Sequence, residues 1–345
     1  MSPCLPSFLR RLTAPSVKNI LLCGCGGGFD FVHAAALLPL LRGAGKNVVI
    51  SSYSFGDPSQ IGGDSTVVFE MNGAVVKRVT ARSEPTAHYG PEVHLCSFLD
   101  VRYPETAPHE VYASNARAFT VPVLTGFYGQ LVAAHDIDAV LLVDGGSDSL
   151  MRGDEEGLGD PVEDAVSIAA VAALQRPLTK VVACVGLGTD RFNHVSDGAS
   201  LRAIAELTAR GGFLGALCLE AGGEALGFYE ALLEHVYARQ SFRSVLAGAI
   251  ATSARGAFAQ APIDARFGGR TEPGDVYLWP LMAMFWAFDV GVVAERSQLV
   301  QWIRSCTSVD ECYAALLRER GKLSLRPIED LPRHEDYRNA AGRFI

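Results

Sequence analysis

Apolar and polar positions change period twice within the first fifty residues. Asn19 to Cys23 (NILLC) is an unbroken apolar run, of a length that suits a strand buried on both faces. It ends in Gly24-Cys25-Gly26-Gly27-Gly28, after which Phe29 to Leu41 has helical spacing and closes at Gly43. Asn47 to Ser52 (NVVISS) reads as a second strand, so the opening predicts a βαβ unit with parallel strands. Short alternating pieces, Ser65 to Phe69 and Ala74 to Val79, predict a hairpin excursion inside a Gly- and Pro-rich stretch that otherwise reads as loop from Asp57 to roughly Pro108.

The strand-then-glycine pattern returns twice. Val121 to His135 has helical spacing, and Asp138 to Val143 (DAVLLV) is an apolar strand that ends in Asp144-Gly145-Gly146-Ser147-Asp148. Asp160 to Leu174 predicts a helix with Pro161 at its first position, followed by the strand Lys180 to Val185 (KVVACV) and the ending Gly186-Leu187-Gly188-Thr189-Asp190. Leu201 to Thr208, Ala225 to Ala238, Val245 to Ala251, Leu278 to Phe288 and Ser297 to Arg304 predict a mostly helical C-terminal third. Val276 to Val293 is the most apolar run; with Pro280 and Asp289 inside it and barely spanning length, it reads as a buried helix, not a membrane segment. The expected fold is α/β: a doubly wound, mostly parallel sheet, Rossmann-like but not a dinucleotide fold of the standard kind, with a helical C-terminal third. The expected organisation is an N-terminal extension (1–17), an α/β domain with a ligand crevice (18–305) and a C-terminal helical tail packed on it (306–345).

Composition narrows the partners. Hydrophobic residues at 49% and charged ones at 20% suit a globular chain with a sizeable core. The net charge of -8, without a Lys/Arg-rich stripe, argues against nucleic acid and favours a cation or a small-molecule ligand, with a homo-oligomer left open. Cys23, Cys184 and Cys218 lie inside apolar runs, as free thiols do, which points to a reducing, cytoplasmic setting. The first 29 residues hold Arg10, Arg11 and Lys18 but no acid, so mitochondrial import is the minor alternative.

In an open parallel sheet, ligands bind outside the carboxyl ends of the strands, where the three glycine and acid loops fall. Gly26, Gly27 and Gly28 could let backbone amides approach an anion, or could serve only as a tight turn. The third position of GxGxxG is Phe29, Ser51 and Ser52 stand where an acid would hold a ribose, and no Lys-Ser/Thr pair follows the glycines, so neither an NAD nor an ATP motif is present. Asp30 would lie in the first turn of its helix, either as a complement to the helix dipole or as a ligand. A carboxylate directly after a buried strand is costly unless paired or bound to a cation, which singles out Asp144 and Asp148. With Asp154 and Glu155 they could supply oxygen ligands to Mg²⁺ or another divalent cation; alternatively Asp154 to Glu156 is a solvated acidic loop. Asp190, Arg191 and His194 could provide an acid/base or an anion site, or an N-cap and a surface pair. Gly145, Gly146 and Gly188 would shape the same ligand loops, while Trp279, Trp286 and Phe288 read as core aromatics.

Taken in order, GCGGGFD (24–30), LLVDGGSDSLMRGDEEGLGDPVEDA (141–165), GLGTDRF (186–192) and WAFDV (286–290) resemble the domain-of-unknown-function family 1152, from about Lys18 to Arg304. The resemblance implies an α/β protein of microbial cytoplasm and some eukaryotes, with hallmark residues at Gly26 to Asp30, Asp144 to Asp148, Gly153 to Glu156 and Gly188 to Asp190; it implies no reaction. The residues themselves lead to an expected small-molecule enzyme, a hydrolase or transferase acting on a phosphorylated or ribose-containing metabolite with metal assistance. In it Asp144, Asp148, Asp190 and His194 are the catalytic candidates; the alternative is a non-catalytic nucleotide- or metabolite-binding module.

Overall fold

The fold was obtained as a computed structural model, and it describes residues 5–268 and 276–328. Its strands are β1 (Asn19–Gly24), β2 (Asn47–Ser51), β3 (Gly62–Met71), β4 (Ala74–Glu84), β5 (Glu110–Ser114), β6 (Ala139–Gly145), β7 (Thr179–Val185), β8 (Phe213–Cys218) and β9 (Met284–Asp289). Its helices are α1 (Ser7–Leu12), α2 (Asp30–Ala35), α3 (Leu38–Gly43), α4 (Pro91–Arg102), α5 (Val121–Ala134), α6 (Pro161–Ala173), α7 (Asp197–Ala209), α8 (Glu224–Tyr237), α9 (Val245–Ala254), α10 (Val290–Arg296), α11 (Gln298–Ile303) and α12 (Val309–Arg320).

The apolar runs of the strands are continuous because both faces of the sheet are covered. Ile20, Leu22, Leu141, Val143, Val181 and Ala183 point to one core, which α1 to α4, α8 and α9 close. Leu21, Cys23, Val140, Leu142, Val182 and Cys184 point to the other, closed by α5 to α7 and α10 to α12. Period-two alternation thus divides each strand between two helical layers. The seven described cysteines are free thiols, six of them buried.

Among the described residues the sheet has nine strands, in the order β3-β4-β5-β2-β1-β6-β7-β9-β8. Pairing is parallel through β5-β2-β1-β6-β7. The β3–β4 hairpin adds antiparallel to β5, and β9 lies antiparallel between β7 and β8. The first crossover leaves β1 toward β2, whereas β6 lies on the opposite side of β1. Loops after β1 and β6 therefore diverge to opposite faces, and a crevice opens between them at the carboxyl ends.

Two expectations need correction. Leu278 to Phe288 is not a helix: a short turn at Pro280–Ala283 leads into β9. Phe285 and Ala287 enter one core and Phe288 the other, so a run apolar on every side fits a strand covered on both faces as well as it fits a helix. The C-terminal third remains mostly helical but contributes β8 and β9. Secondly, the segment read as loops around the hairpin contains α4, which buries Val93, Leu95, Cys96 and Leu99. At the two ends, Phe8, Leu9 and Leu12 of α1 and Cys312, Ala315 and Leu316 of α12 join the cores on either side of the sheet. Among the described residues no helix is long and apolar enough to cross a membrane.

Candidate functional site

At the mouth of the β1/β6 crevice lies a cavity of about 280 Å³, large enough for a small metabolite. Four segments bring acids to it. β1 ends at Gly24, and the glycine loop delivers Asp30 at the start of α2; its Oδ2 accepts from the Gly26 amide (2.7 Å) and its Oδ1 from the Gly145 amide (3.0 Å). One carboxylate thereby ties the loop after β1 to the end of β6. Asp144, in the last turn of the β6 pleat, accepts from the hydroxyl and amide of Ser149. Asp148 opens the next short turn and accepts from the Asp160 amide (3.0 Å). Asp190, after β7, accepts from the Ser147 amide (2.7 Å).

The fourth segment, the first turn of α6, brings Glu163 and Asp164 into the same cavity. Asp30, Asp144, Asp148, Asp164 and Asp190 are all more than 90% buried, with exposures of 5, 2, 8, 4 and 4%. Such burial favours the neutral acid, and adjacent carboxylates reinforce it. Burial pushes Asp144 up to about 6 against the Ser149 hydrogen bonds. Burial and then the charge of Asp144 hold Asp30 and Asp148 well above the usual carboxylate range. Burial and then Asp148 do the same for Asp164 and Asp190. Glu163 rises to about 7, by burial and then Asp160, against its 3.2 Å pair with Arg117.

His33 lines the cavity from α2, with Nδ1 2.6 Å from the Tyr229 hydroxyl; burial pulls its pKa down to about 3 and keeps the ring neutral. Phe29, Phe55, Phe192 and Phe242 surround the acids, and Phe55 and Phe192 are exposed at 45 and 54%. Among the described residues lining the cavity, none is Lys or Arg. The arrangement therefore combines acceptors and acids below with flat apolar rings above.

The sites expected from the sequence divide accordingly. Gly26, Gly27, Gly28, Asp30, Asp144, Gly145, Asp148 and Asp190 line the cavity together. Gly26 needs to be glycine here, because a methyl group would overlap the Asp164 carboxylate. Its amide is already used by Asp30, and the loop faces carboxylates, so a bare anion would meet negative charge there. Gly146 stands behind the lining; at φ 141° and against Asp190, it lets that carboxylate approach.

Asp154 and Glu155 are not brought to the acids. Arg326 binds both, at 2.8 and 2.6 Å, and Glu155 also accepts from the amides of Arg152 and Gly153. They clamp a C-terminal segment instead of completing a metal shell. His194 is exposed in the left-handed region (φ 66°), outside the cavity lining. Gly188 packs beneath Trp279, whose Nε1 donates to Leu187 O (2.6 Å), and it too lies outside the lining.

His33, Glu163 and Asp164 were not anticipated. Asp164 carried a usable signal: it is an acid in a helix that is mostly apolar on all sides and is buried from Pro161 to Val171. No comparable pattern marks His33, whose role depends on β6 lying beside α2.

No curated protein and no solved structure matches the chain. Residues 71–325 match the family described as Protein of unknown function (DUF1152). The match includes the loops after β6 and β7 and the start of α6, while Gly26 to Asp30 precede it. Covering well over half of the 345 residues, it establishes that the chain belongs to the DUF1152 family.

Proposed function

We propose that the crevice is the active site of a small-molecule enzyme, a hydrolase or transferase, whose substrate carries a ribose. The observation that supports this reading is the pairing of a buried carboxylate floor with an aromatic rim in a cavity of about 280 Å³. Carboxylates accept hydrogen bonds from vicinal hydroxyls, and exposed Phe192 offers a face on which a flat ring can stack, while Phe55 already carries the Arg117 guanidinium 4.9 Å over its ring. A phosphorylated substrate would need a cation to neutralise it, because no Lys or Arg lines the cavity among the described residues. The order of the parallel strands, reversing between β1 and β6, supports the Rossmann-like reading of the sheet and puts the cavity at its switch point.

Catalysis follows from carboxyls driven apart in acidity. A group that stays protonated near neutral pH can donate to a leaving atom, while a more acidic neighbour takes a proton from the attacking water or hydroxyl. Asp190, raised above the usual carboxylate range by burial and then Asp148, is the candidate donor, and Asp148, fixed by the Asp160 amide, orients the sugar hydroxyls.

The test is to incubate the full chain with a panel of nucleosides and ribose phosphates and follow products by chromatography. Turnover that falls about 100-fold or more in Asp190→Asn and Asp148→Asn proteins is expected. Unchanged turnover in the doubly substituted protein would overturn the assignment. Tight binding with no product over hours would mark a non-catalytic sensor instead.

A further inference from the structure

We propose that Asp30, Asp144 and Asp164 form a binding site for one hard divalent cation, of the Mg²⁺ and Ca²⁺ class, at the floor of the crevice. One oxygen from each lies within 4.8 Å of the others. Oxygens around a cation held at about 2.1–2.5 Å stand about 3–5 Å apart, so the triangle has the span of one coordination shell. The three side chains come from α2, β6 and α6, three elements whose relative positions the sheet sets.

Acidic proximity alone would not identify a ligand; the state of Asp164 does. Its Oδ1 is buried and has no hydrogen-bond partner among the described residues. By contrast, Asp30 is held by two backbone amides and Asp144 by Ser149. A buried carboxylate oxygen without a donor is strongly unfavourable unless something positive meets it. This oxygen is directed at the glycine loop, where it and Asp30 Oδ2 approach the same point beside Gly26. No cationic side chain lines the cavity among the described residues, so a bound ion is what would allow the three acids to be ionised together. Oxygen-only ligands select a hard cation over Zn²⁺ or copper.

This set replaces the expected Asp144, Asp148, Asp154 and Glu155. Arg326 already pairs with the last two, and Asp148, which lines the same cavity, remains for substrate. The inference deepens the proposed function by giving the same cavity its cofactor: a bound cation would polarise a substrate oxygen or lower the pKa of a water.

The decisive experiment measures metal binding without substrate. Chelator-treated full-length chain is titrated with Mn²⁺, free Mn²⁺ is read by electron paramagnetic resonance, and Mg²⁺, Ca²⁺ and Zn²⁺ serve as competitors. A single Mn²⁺ per chain, displaced by Mg²⁺ or Ca²⁺, is expected. Affinity should fall by roughly tenfold or more in Asp164→Asn, which keeps the shape, and in Gly26→Ala, which keeps the charge, with melting curves establishing that both are folded. Asp154→Asn should bind like the wild type. Absence of binding to the folded wild type, displacement by Zn²⁺ alone, or binding that survives Asp164→Asn would overturn the site. Nucleoside turnover in chelator would also remove the cation while leaving the enzyme reading intact; a confirmed cation with no bound or converted ribose compound would do the reverse.

Discussion

A single carboxylate, Asp164, illustrates how much a residue can reveal about a site. Helix α6 buries the residues of its first turn, and an acid on that side opposes folding unless it has another use. Functional sites commonly sacrifice stability in this manner. Replacing Asp164 with Leu, of similar length and without polar atoms, should therefore stabilise the chelator-treated protein by about 1–3 kcal/mol in urea melts. Measurable destabilisation instead would mean that the carboxylate holds the structure together. Neighbouring acids differ in this respect: Asp30 spans two loops through the Gly26 and Gly145 amides, and Glu155 anchors Arg326, so both contribute to the architecture.

Between elements, the packing of α4 on α8 places two imidazoles in a poorly hydrated seam. Burial and then Arg239 pull His94 down to about 4; burial, then Arg239 and His94, do the same to His235, whose Nε2 lies 2.8 Å from the Ser97 hydroxyl. An unfolded histidine binds its proton near pH 6.5, so between about pH 6.5 and 4 the unfolded chain takes up protons that the folded chain refuses. Stability from this seam is complete above pH 6.5 and is lost on acidification through that window. Because the crevice carboxyls titrate with the opposite sign, the informative quantity is the difference between wild type and His94→Gln. That difference should change by on the order of 1–2 kcal/mol between pH 7 and pH 4.5, after allowance for solvent screening. Parallel stability curves would show that the seam does not sense pH.

Element prediction succeeded where a run of helical length or a short apolar run ending in glycine marked the element. Val121–Ala134 and Pro161–Ala173 agree with their apolar spacing, and both glycine-terminated strands β6 and β7 appear where the runs indicate. It failed at β9, because Phe285 to Phe288 is apolar on every side and no period distinguishes a buried strand from a buried helix.

On the scale of the whole molecule, one sheet divides two cores that share every parallel strand. Leu22 and Leu21 are adjacent in β1 yet belong to opposite layers, so neither layer can disassemble without exposing the strands of the other. We expect a single cooperative thermal transition, with far-ultraviolet circular dichroism and tryptophan fluorescence superimposable. Two separated transitions would show that the layers are energetically independent. The same architecture holds the site: parallel pairing aligns the carboxyl ends of β1, β6 and β7, and the reversal of strand order opens the crevice there.

Local pattern by itself determined the α/β class, the parallel strands and the loops that carry Asp30, Asp144, Asp148 and Asp190, because period and turn chemistry depend on near neighbours. Tertiary structure alone decided which acids meet. Asp154 and Glu155 are closer in sequence to Asp148 than Asp30 is, yet Arg326 holds them elsewhere, while Asp30, 114 positions before Asp144, shares its cavity. Strand order and the long-range hydrogen bond from the Gly145 amide to Asp30 produce that meeting, and neither is encoded in the spacing of residues along one segment.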